Sequence, residues 1–320
     1  MVLKTQATRD KRNIETVMVL SNGATMCGRK VRFQSTDPSF RDDIMVGLKP
    51  DPACDNLNAL KKGASKYVEI LKENELVANL KLGLIPYSVM ILMPEGKPFP
   101  PSVRANEPDK YKNGEPGMYK APPQTLSLSR ISPLSSRWSE IEANINDIKQ
   151  STKGSSWSRS NVATHMAALM LDPAYTNYFG GEKPDPFAQE TTDKVVILMT
   201  DGINSGCCFT AWPPGNIEKQ YVYHYKPDNE QQVRFCNALK EQGVKIYTIL
   251  LDVEANDPGG VETQNVFARC ASLEGDEVEN PNGNLRCNEK QNCYNTKNAK
   301  ELEAAFKNIA RTFYDVRLTK

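Results

Sequence analysis

Histidine is nearly missing from this chain: there are two in 320 residues, His165 and His224. Neither has a second histidine at metal-ligand spacing, and neither belongs to a nucleophile motif. That leaves little for a zinc site or a histidine-based catalytic centre. The cysteines contain no C-x-x-C pair, which also speaks against zinc. Phosphate-binding loops are missing too: no G-x-x-x-x-G-K and no G-x-G-x-x-G occurs. An excess of one charge is absent. Lys+Arg is 40 and Asp+Glu 39, a net charge of +1, so there is no electrostatic case for nucleic acid. No stretch reaches the roughly 18 consecutive apolar residues of a membrane helix. The N-terminal MVLKTQATRDKRN lacks the apolar centre of a secretory signal. As it stands the sequence reads as a soluble, non-enzymatic chain with no visible address.

What is present in quantity is cysteine. There are eight: Cys27, Cys54, Cys207, Cys208, Cys236, Cys270, Cys287 and Cys293. An even count in mostly loop-like sequence suits disulfides and an oxidising compartment. Reduced cytosolic thiols are the alternative. If the compartment is oxidising, a targeting segment is expected upstream of Met1. The length exceeds the about 150–250 residues of a usual α/β domain, which predicts one domain with large insertions or one domain with a small appendage.

Hydrophobic spacing gives the order of elements. Residues 14–20 (IETVMVL) read as a buried strand. Residues 56–72 place Leu57, Leu60, Ala64, Tyr67, Val68 and Leu71 at helical spacing. Residues 78–92 are strand-like, with a break or hairpin at their Gly and Pro. Residues 93–135, rich in Pro, Ser and Gly, read as a long irregular insertion. Helices are predicted over 137–150, through Trp138, Ile141, Ile145 and Ile148, and over 160–171, stopped by Asp172-Pro173. KVVILMT (194–200) and VKIYTILL (244–251) are continuous apolar runs, as strands buried on both faces would be. Between them a helix is expected over 229–242, with Asp228 as N-cap, Val233, Cys236 and Leu239 inward, and Gly243 just past its end. Asn298 and Glu301 form a capping box for a helix over 298–313 with Leu302, Ala305, Phe306, Ile309 and Phe313 as its stripe. DVRLT (315–319) is a candidate last strand. The aromatic stretch Trp212, Tyr221, Tyr223 and Tyr225, around His224, is either a satellite core or a partner-binding patch. Buried strands alternating with amphipathic helices predict a mostly parallel sheet covered on both faces. Ligands of such sheets sit beyond the carboxyl ends of the strands. That rule selects Ser21–Thr25 and Thr200-Asp201-Gly202.

A strand ending in a small hydroxyl-rich turn, followed later by a strand ending in TDG, resembles the von Willebrand factor A (VWA) domain. RNIETVMVLSNGATM, KVVILMTDG, FCNALKEQGVKIYTI, FARCASLE and AKELEAAFKNIARTFYDVRLTK resemble, in this order, the VWA region of TadG-like proteins of the Tad/Flp pilus-assembly system. The likeness covers roughly residues 12–27, 55–92 and 137–320. It implies a Rossmann-like three-layer α/β sandwich, a single VWA-like domain over 12–320, with insertions at 28–54 and 93–136. Residues 1–11 are then an N-terminal extension, the end of an upstream anchor segment.

The same resemblance implies a metal ion-dependent adhesion site, and here the sequence departs from the pattern. Ser21 stands where the family has its metal-binding Asp, and Gly23 where it has the first hydroxyl. Thr25 and Asp201 are retained. Ser158, Ser160 and Thr164 compete for the middle-loop hydroxyl, and Ser160 is preferred because Ser160-Asn161 opens the helix. Magnesium takes a near-octahedral set of oxygens, commonly with one or two carboxylates. The set Ser21, Thr25, Ser160 and Asp201 holds one. The expected site is therefore degenerate, with no tightly bound cofactor and at most weak Mg²⁺. The bland reading of Ser21–Thr25 is a capped strand-to-helix turn.

In this fold the first loop leads directly into the first helix, so Cys27 and Cys54 flank the detour and are expected to be bonded at its base. Cys236 and Cys270 match the family-like segments and are paired on that ground. Cys287 and Cys293 bracket a short loop as a staple, and Cys207 and Cys208 remain. His165 stands where the family often has Gly, as a packing or surface residue. The implied function is a protein-binding or adhesion module of the bacterial cell envelope, periplasmic or surface-exposed. Its partners would be pilus-assembly or surface proteins, with no nucleic acid and no membrane contact except through a segment outside this chain. The alternative is a structural or decaying VWA domain acting through metal-independent contacts of its insertions.

Overall fold

The structure is a computed structural model. It describes residues 11–34, 44–74, 77–88, 91–100, 129–150, 159–202, 217–256, 260–272, 287 and 292–313. The first strand, β1 (Arg12–Ser21), is buried from Ile14 to its end. Alternate residues serve opposite faces of a strand. Val17 and Val19 accordingly join one apolar cluster, and Ile14, Met18 and Leu20 the other. That double burial is what makes VMVL continuous rather than alternating in the sequence.

Six strands form the sheet: β4 (Val77–Tyr87), β5 (Ser132–Ser135), β6 (Thr192–Thr200), β7 (Lys245–Leu251) and β8 (Cys293–Thr296) join β1 in the order β5-β4-β1-β6-β7-β8. All neighbours run parallel except the antiparallel edge pair β4–β5. Two further strands, β2 (Gly28–Gln34) and β3 (Ile44–Pro50), pair only with each other among the described residues.

Helices cover both faces. One apolar layer is completed by α1 (Asp55–Glu73), α2 (Trp138–Asn146) and, near the end of the chain, α7 (Ala299–Arg311). The opposite layer is completed by α3 (Ser160–Met170), α5 (Ile217–Glu241) and α6 (Gly260–Cys270). A short helix, α4 (Thr176–Phe179), follows α3. The stripe of α1 is buried as its spacing predicts, from Leu57 through Leu60, Ala64, Tyr67 and Val68 to Leu71. In α7, Asn298 accepts from the Glu301 amide at 3.0 Å, and the Glu301 carboxylate accepts from the Lys297 amide at 2.8 Å. The capping residues thus satisfy donors that the helix itself cannot. α1 and α7 lie so close that a Cβ on Gly63 would stand 2.6 Å from Phe306 Cδ2. Gly243 ends α5 at φ 79°, and the Val244 amide returns to the Leu239 carbonyl at 3.0 Å, closing the helix as a Schellman motif does.

Three expectations are corrected. β4 runs through Gly83 and Pro86 as one strand, paired with β1 at both positions, where a break or hairpin was expected. The helix before Gly243 begins at Ile217, not at 229, so Asp228 lies inside it and is not its N-cap. Pro227 marks a boundary in an isolated pattern, yet here the helix runs through it. The aromatic stretch Tyr221, Tyr223 and Tyr225, with His224, belongs to that helix. The second insertion is not irregular to its end, since Ser132–Ser135 form edge strand β5. Pro133 sits where the β4–β5 register shifts between Leu82 and Leu84, an irregularity and a missing N–H that an edge strand tolerates. The candidate strand at 315–319, Ser158, Trp212 and the pair Cys207-Cys208 lie outside the described residues.

Candidate functional site at the carboxyl end of the sheet

In an open α/β sheet the crevice for a ligand opens where the strand order reverses. From β1 the chain continues to β4 on one side and later to β6 on the other. The reversal therefore lies between β1 and β6, whose last residues are Ser21 and Thr200. Ser21 donates its hydroxyl to Asp201 Oδ1 at 2.6 Å. Both residues are buried, Ser21 at 0% and Asp201 at 2% exposure. Among the described residues, buried Asp201 Oδ2 has no hydrogen-bond partner, a costly state for a carboxylate oxygen.

The surrounding turns hold these two groups in place. After Ser21, the Asn22 amide bonds to the Tyr87 carbonyl at 2.8 Å, and Asn22 Nδ2 donates to the Lys149 carbonyl at 2.9 Å. The chain then enters a single 3-10 turn, Ala24–Cys27, in which Thr25 is buried. On the β6 side, Thr200 Oγ1 donates to the Gly202 carbonyl at 2.9 Å. The Tyr87 hydroxyl donates to the Met199 carbonyl at 2.9 Å, bridging over β1 from β4 to β6. Burial holds that phenol well above the usual tyrosine range, so it stays protonated as a donor.

Ser160 is the first residue of α3 and is fully buried. Its hydroxyl donates to Gln232 Oε1 at 2.5 Å, and Asn161 Nδ2 donates to Gln231 Oε1 at 2.8 Å. Thr164 Oγ1 turns back to the Ser160 carbonyl at 2.7 Å. Of the four residues expected to form one set, Ser21 and Asp201 are joined directly, whereas the Ser160 hydroxyl is engaged by α5. Gln232 was not foreseen. The available signal was a glutamine four residues before inward Cys236, on the buried face of its helix. Among the described residues no group of three His, Cys, Asp or Glu side chains is placed to hold a metal ion.

His165 is a packing residue, stacked on Phe235 with ring centroids 4.4 Å apart. Burial pushes its imidazole down to about 4. Sulfur bonds join Cys27 to Cys54, Cys236 to Cys270 and Cys287 to Cys293. The first closes the base of the insertion carrying β2 and β3, and the second ties α5 to α6.

The opposite end of the sheet carries a second polar cluster. Buried Glu15 on β1 forms ion pairs with Lys194 on β6 and with Lys81 on β4, the latter at 3.0 Å. It also accepts from the Asp185 amide at 2.8 Å. Lys194 further donates to the Leu171 carbonyl at 3.1 Å and lies over the Phe187 ring. Burial draws this ammonium below the ordinary lysine value against the pull of Glu15.

No protein-family model and no curated protein matches the sequence. Among solved structures, the pilus adhesin SpaC from Lactobacillus rhamnosus GG is similar with a TM-score of 0.51 and 13% identity, over 95% of this chain and 31% of that one. The adhesive tip pilin GBS104 from group B Streptococcus agalactiae gives a TM-score of 0.48 at 10% identity, over 94% of this chain and 62% of that one. The type V pili tip protein Mfa5 from Porphyromonas gingivalis gives 0.44 at 13% identity, over 93% and 49%. The chain thus spans less than two thirds of each of these proteins, and what it shares with part of the pilus adhesin SpaC is an α/β fold.

Proposed function

We propose that the chain is a VWA-type, non-catalytic binding module of the bacterial cell envelope, TadG-like, serving Tad/Flp pilus assembly or adhesion. It holds a protein partner at the carboxyl end of its sheet, and it does so without a resident metal. The observation that carries this reading is the Ser21–Asp201 hydrogen bond at the strand-order reversal. A ligand surface belongs there, and the two residues stand where the resembled family places metal ligands.

The donors do not fit a tightly bound divalent ion. Asp201 is the one carboxylate, and it accepts a hydrogen bond from neutral Ser21, which stands where the resembled family has its metal-binding Asp. The other candidates, Thr25 and Ser160, are neutral hydroxyls, and the Ser160 hydroxyl donates to Gln232. One carboxylate with neutral hydroxyls is the low end of what holds Mg²⁺, which binds through one or two carboxylates and keeps several waters. The ordered segments that resemble TadG-like proteins, the disulfides and the fold shared with part of a pilus adhesin support the envelope assignment.

The test is a thermal melt of the non-reduced protein in EDTA, then in millimolar Mg²⁺, Mn²⁺ or Ca²⁺. A ion that binds only the native state raises stability according to its concentration over Kd. The expected result is no shift for the natural chain and an Mg²⁺-dependent rise for Ser21→Asp with Gly23→Ser. A rise in the natural chain that Asp201→Ala removes would make metal-bridged adhesion the mechanism instead.

A further inference from the structure

The first insertion carries a ribbon that the sheet does not use. β2 and β3 pair antiparallel from Gly28 opposite Pro50 to Gln34 opposite Ile44. Among the described residues neither strand pairs with the six-stranded sheet. The 3-10 turn Ala24–Cys27 leads directly into β2 and lies against it. The base is well fixed: Cys27 and Cys54 are bonded, and the Asp51 amide donates to the Cys27 carbonyl at 2.9 Å. A two-stranded hairpin by itself is marginal in water and gains from a third strand. Each of these strands has an outer edge with no described strand beside it, and such an edge is a template for pairing with another chain.

The strand sequences say what would pair. GRKVRFQ and IMVGLKP hold four basic residues, Arg29, Lys30, Arg32 and Lys49, and no acidic one. The register sets Arg29 opposite Lys49 and interleaves the basic positions with Val31, Phe33, Val46 and Leu48. Like charges on neighbouring strands oppose pairing and opposite charges favour it. A second copy would lay a basic strand beside a basic strand.

We propose that the β2–β3 ribbon is a strand-addition site for an extended, acidic segment of a partner protein. Main-chain hydrogen bonds would supply affinity, and alternating acidic and apolar side chains would supply specificity. The site lies beside the carboxyl end of β1, so it extends the partner surface proposed above, but it needs neither Ser21 nor Asp201.

The experiment uses the full, non-reduced chain and two labelled peptides, one alternating Glu and Val, the other Lys and Val, followed by fluorescence anisotropy. The Glu–Val peptide is expected to bind, to weaken several-fold as salt is raised, and to slow amide exchange along one ribbon strand. The Lys–Val peptide is expected not to bind. Replacing residues 29–49 by a Gly-Ser bridge, with Cys27–Cys54 retained, should abolish binding. Reversing the charges with Arg29→Glu, Lys30→Glu, Arg32→Glu and Lys49→Glu should transfer binding to the Lys–Val peptide, which a merely misfolded variant would not do. Absence of binding, equal binding of both peptides, or binding that survives the bridge would overturn the proposal. So would a ribbon-dependent dimer in sedimentation, or binding to phosphatidylserine vesicles in place of the peptide. The metal melts above do not pass through the ribbon, so either reading can fail without the other.

Discussion

Ser21 donates to Asp201 across the ends of two neighbouring parallel strands, at 2.6 Å and out of solvent. Removing the donor strands a second carboxylate oxygen in a buried place. Ser21→Ala is therefore expected to cost about 1–3 kcal/mol, read as a shift of the urea midpoint with an unchanged slope. Ser21→Asp places carboxylate against carboxylate and should destabilise the metal-free chain comparably. If the proposed descent from a metal loop holds, millimolar Mg²⁺ returns much of that loss.

His165 gives the chain an acid-sensitive term. Its folded value of about 4 lies below the ordinary 6.5. Between those values the unfolded chain binds a proton that the folded chain refuses. Stability contributed by this residue is therefore intact above pH 6.5, falls as pH drops from 6.5 to about 4, and is flat below that. The loss is on the order of 2 kcal/mol after allowance for partial solvation. Urea titrations at a series of pH values should show the slope, and His165→Phe, which keeps a ring against Phe235, should flatten it.

Glu15 is shared by two lysines, and the pairs differ in burial: Lys194 is 3% exposed and Lys81 13%. Glu15→Gln leaves the Lys194 ammonium buried without its counter-charge. A loss of about 3–5 kcal/mol is expected. Glu15→Met combined with Lys194→Met should recover most of it, because the penalty of burying those two charges goes with them while Lys81 keeps Asp185 at 3.6 Å. Equal losses in the single and the double variant would refute the ion-pair account.

The Cys27–Cys54 bond closes a separation of 27 residues. Replacing both cysteines by Ser should lower stability by about 3 kcal/mol on the chain-entropy model. Cys236 and Cys270 are both fully buried. Mass-spectrometric mapping under mild reductant should accordingly find that pair intact until the chain unfolds.

Much of the architecture is written locally. VMVL and VVILM are continuous because both faces of the sheet are covered, and the stripe of α1 and the cap at Asn298 are short-range patterns. The errors arose where local pattern and tertiary setting disagree. Pro227 ends a helix in isolation but not within α5, and four residues with a central proline carry too little pattern to announce β5. The site was legible only as loops. Sequence placed Ser21 and Asp201 at strand ends, but no local rule says that Ser160 turns to Gln232, 72 residues away. Nor does one say that Glu15 meets Lys194, 179 residues away. A charged residue near the start of each of three apolar strands was the one available hint.

The alternation of β1 has a further consequence. Val19 serves one apolar layer, Leu20 the other, and Ser21 follows at the rim. Sliding β1 by one residue against β6 would exchange the two layers and turn the Ser21 hydroxyl away from Asp201. The hydrogen bond at the proposed recognition surface is thus also a vernier mark, closed only when the central strands stand in their native alignment.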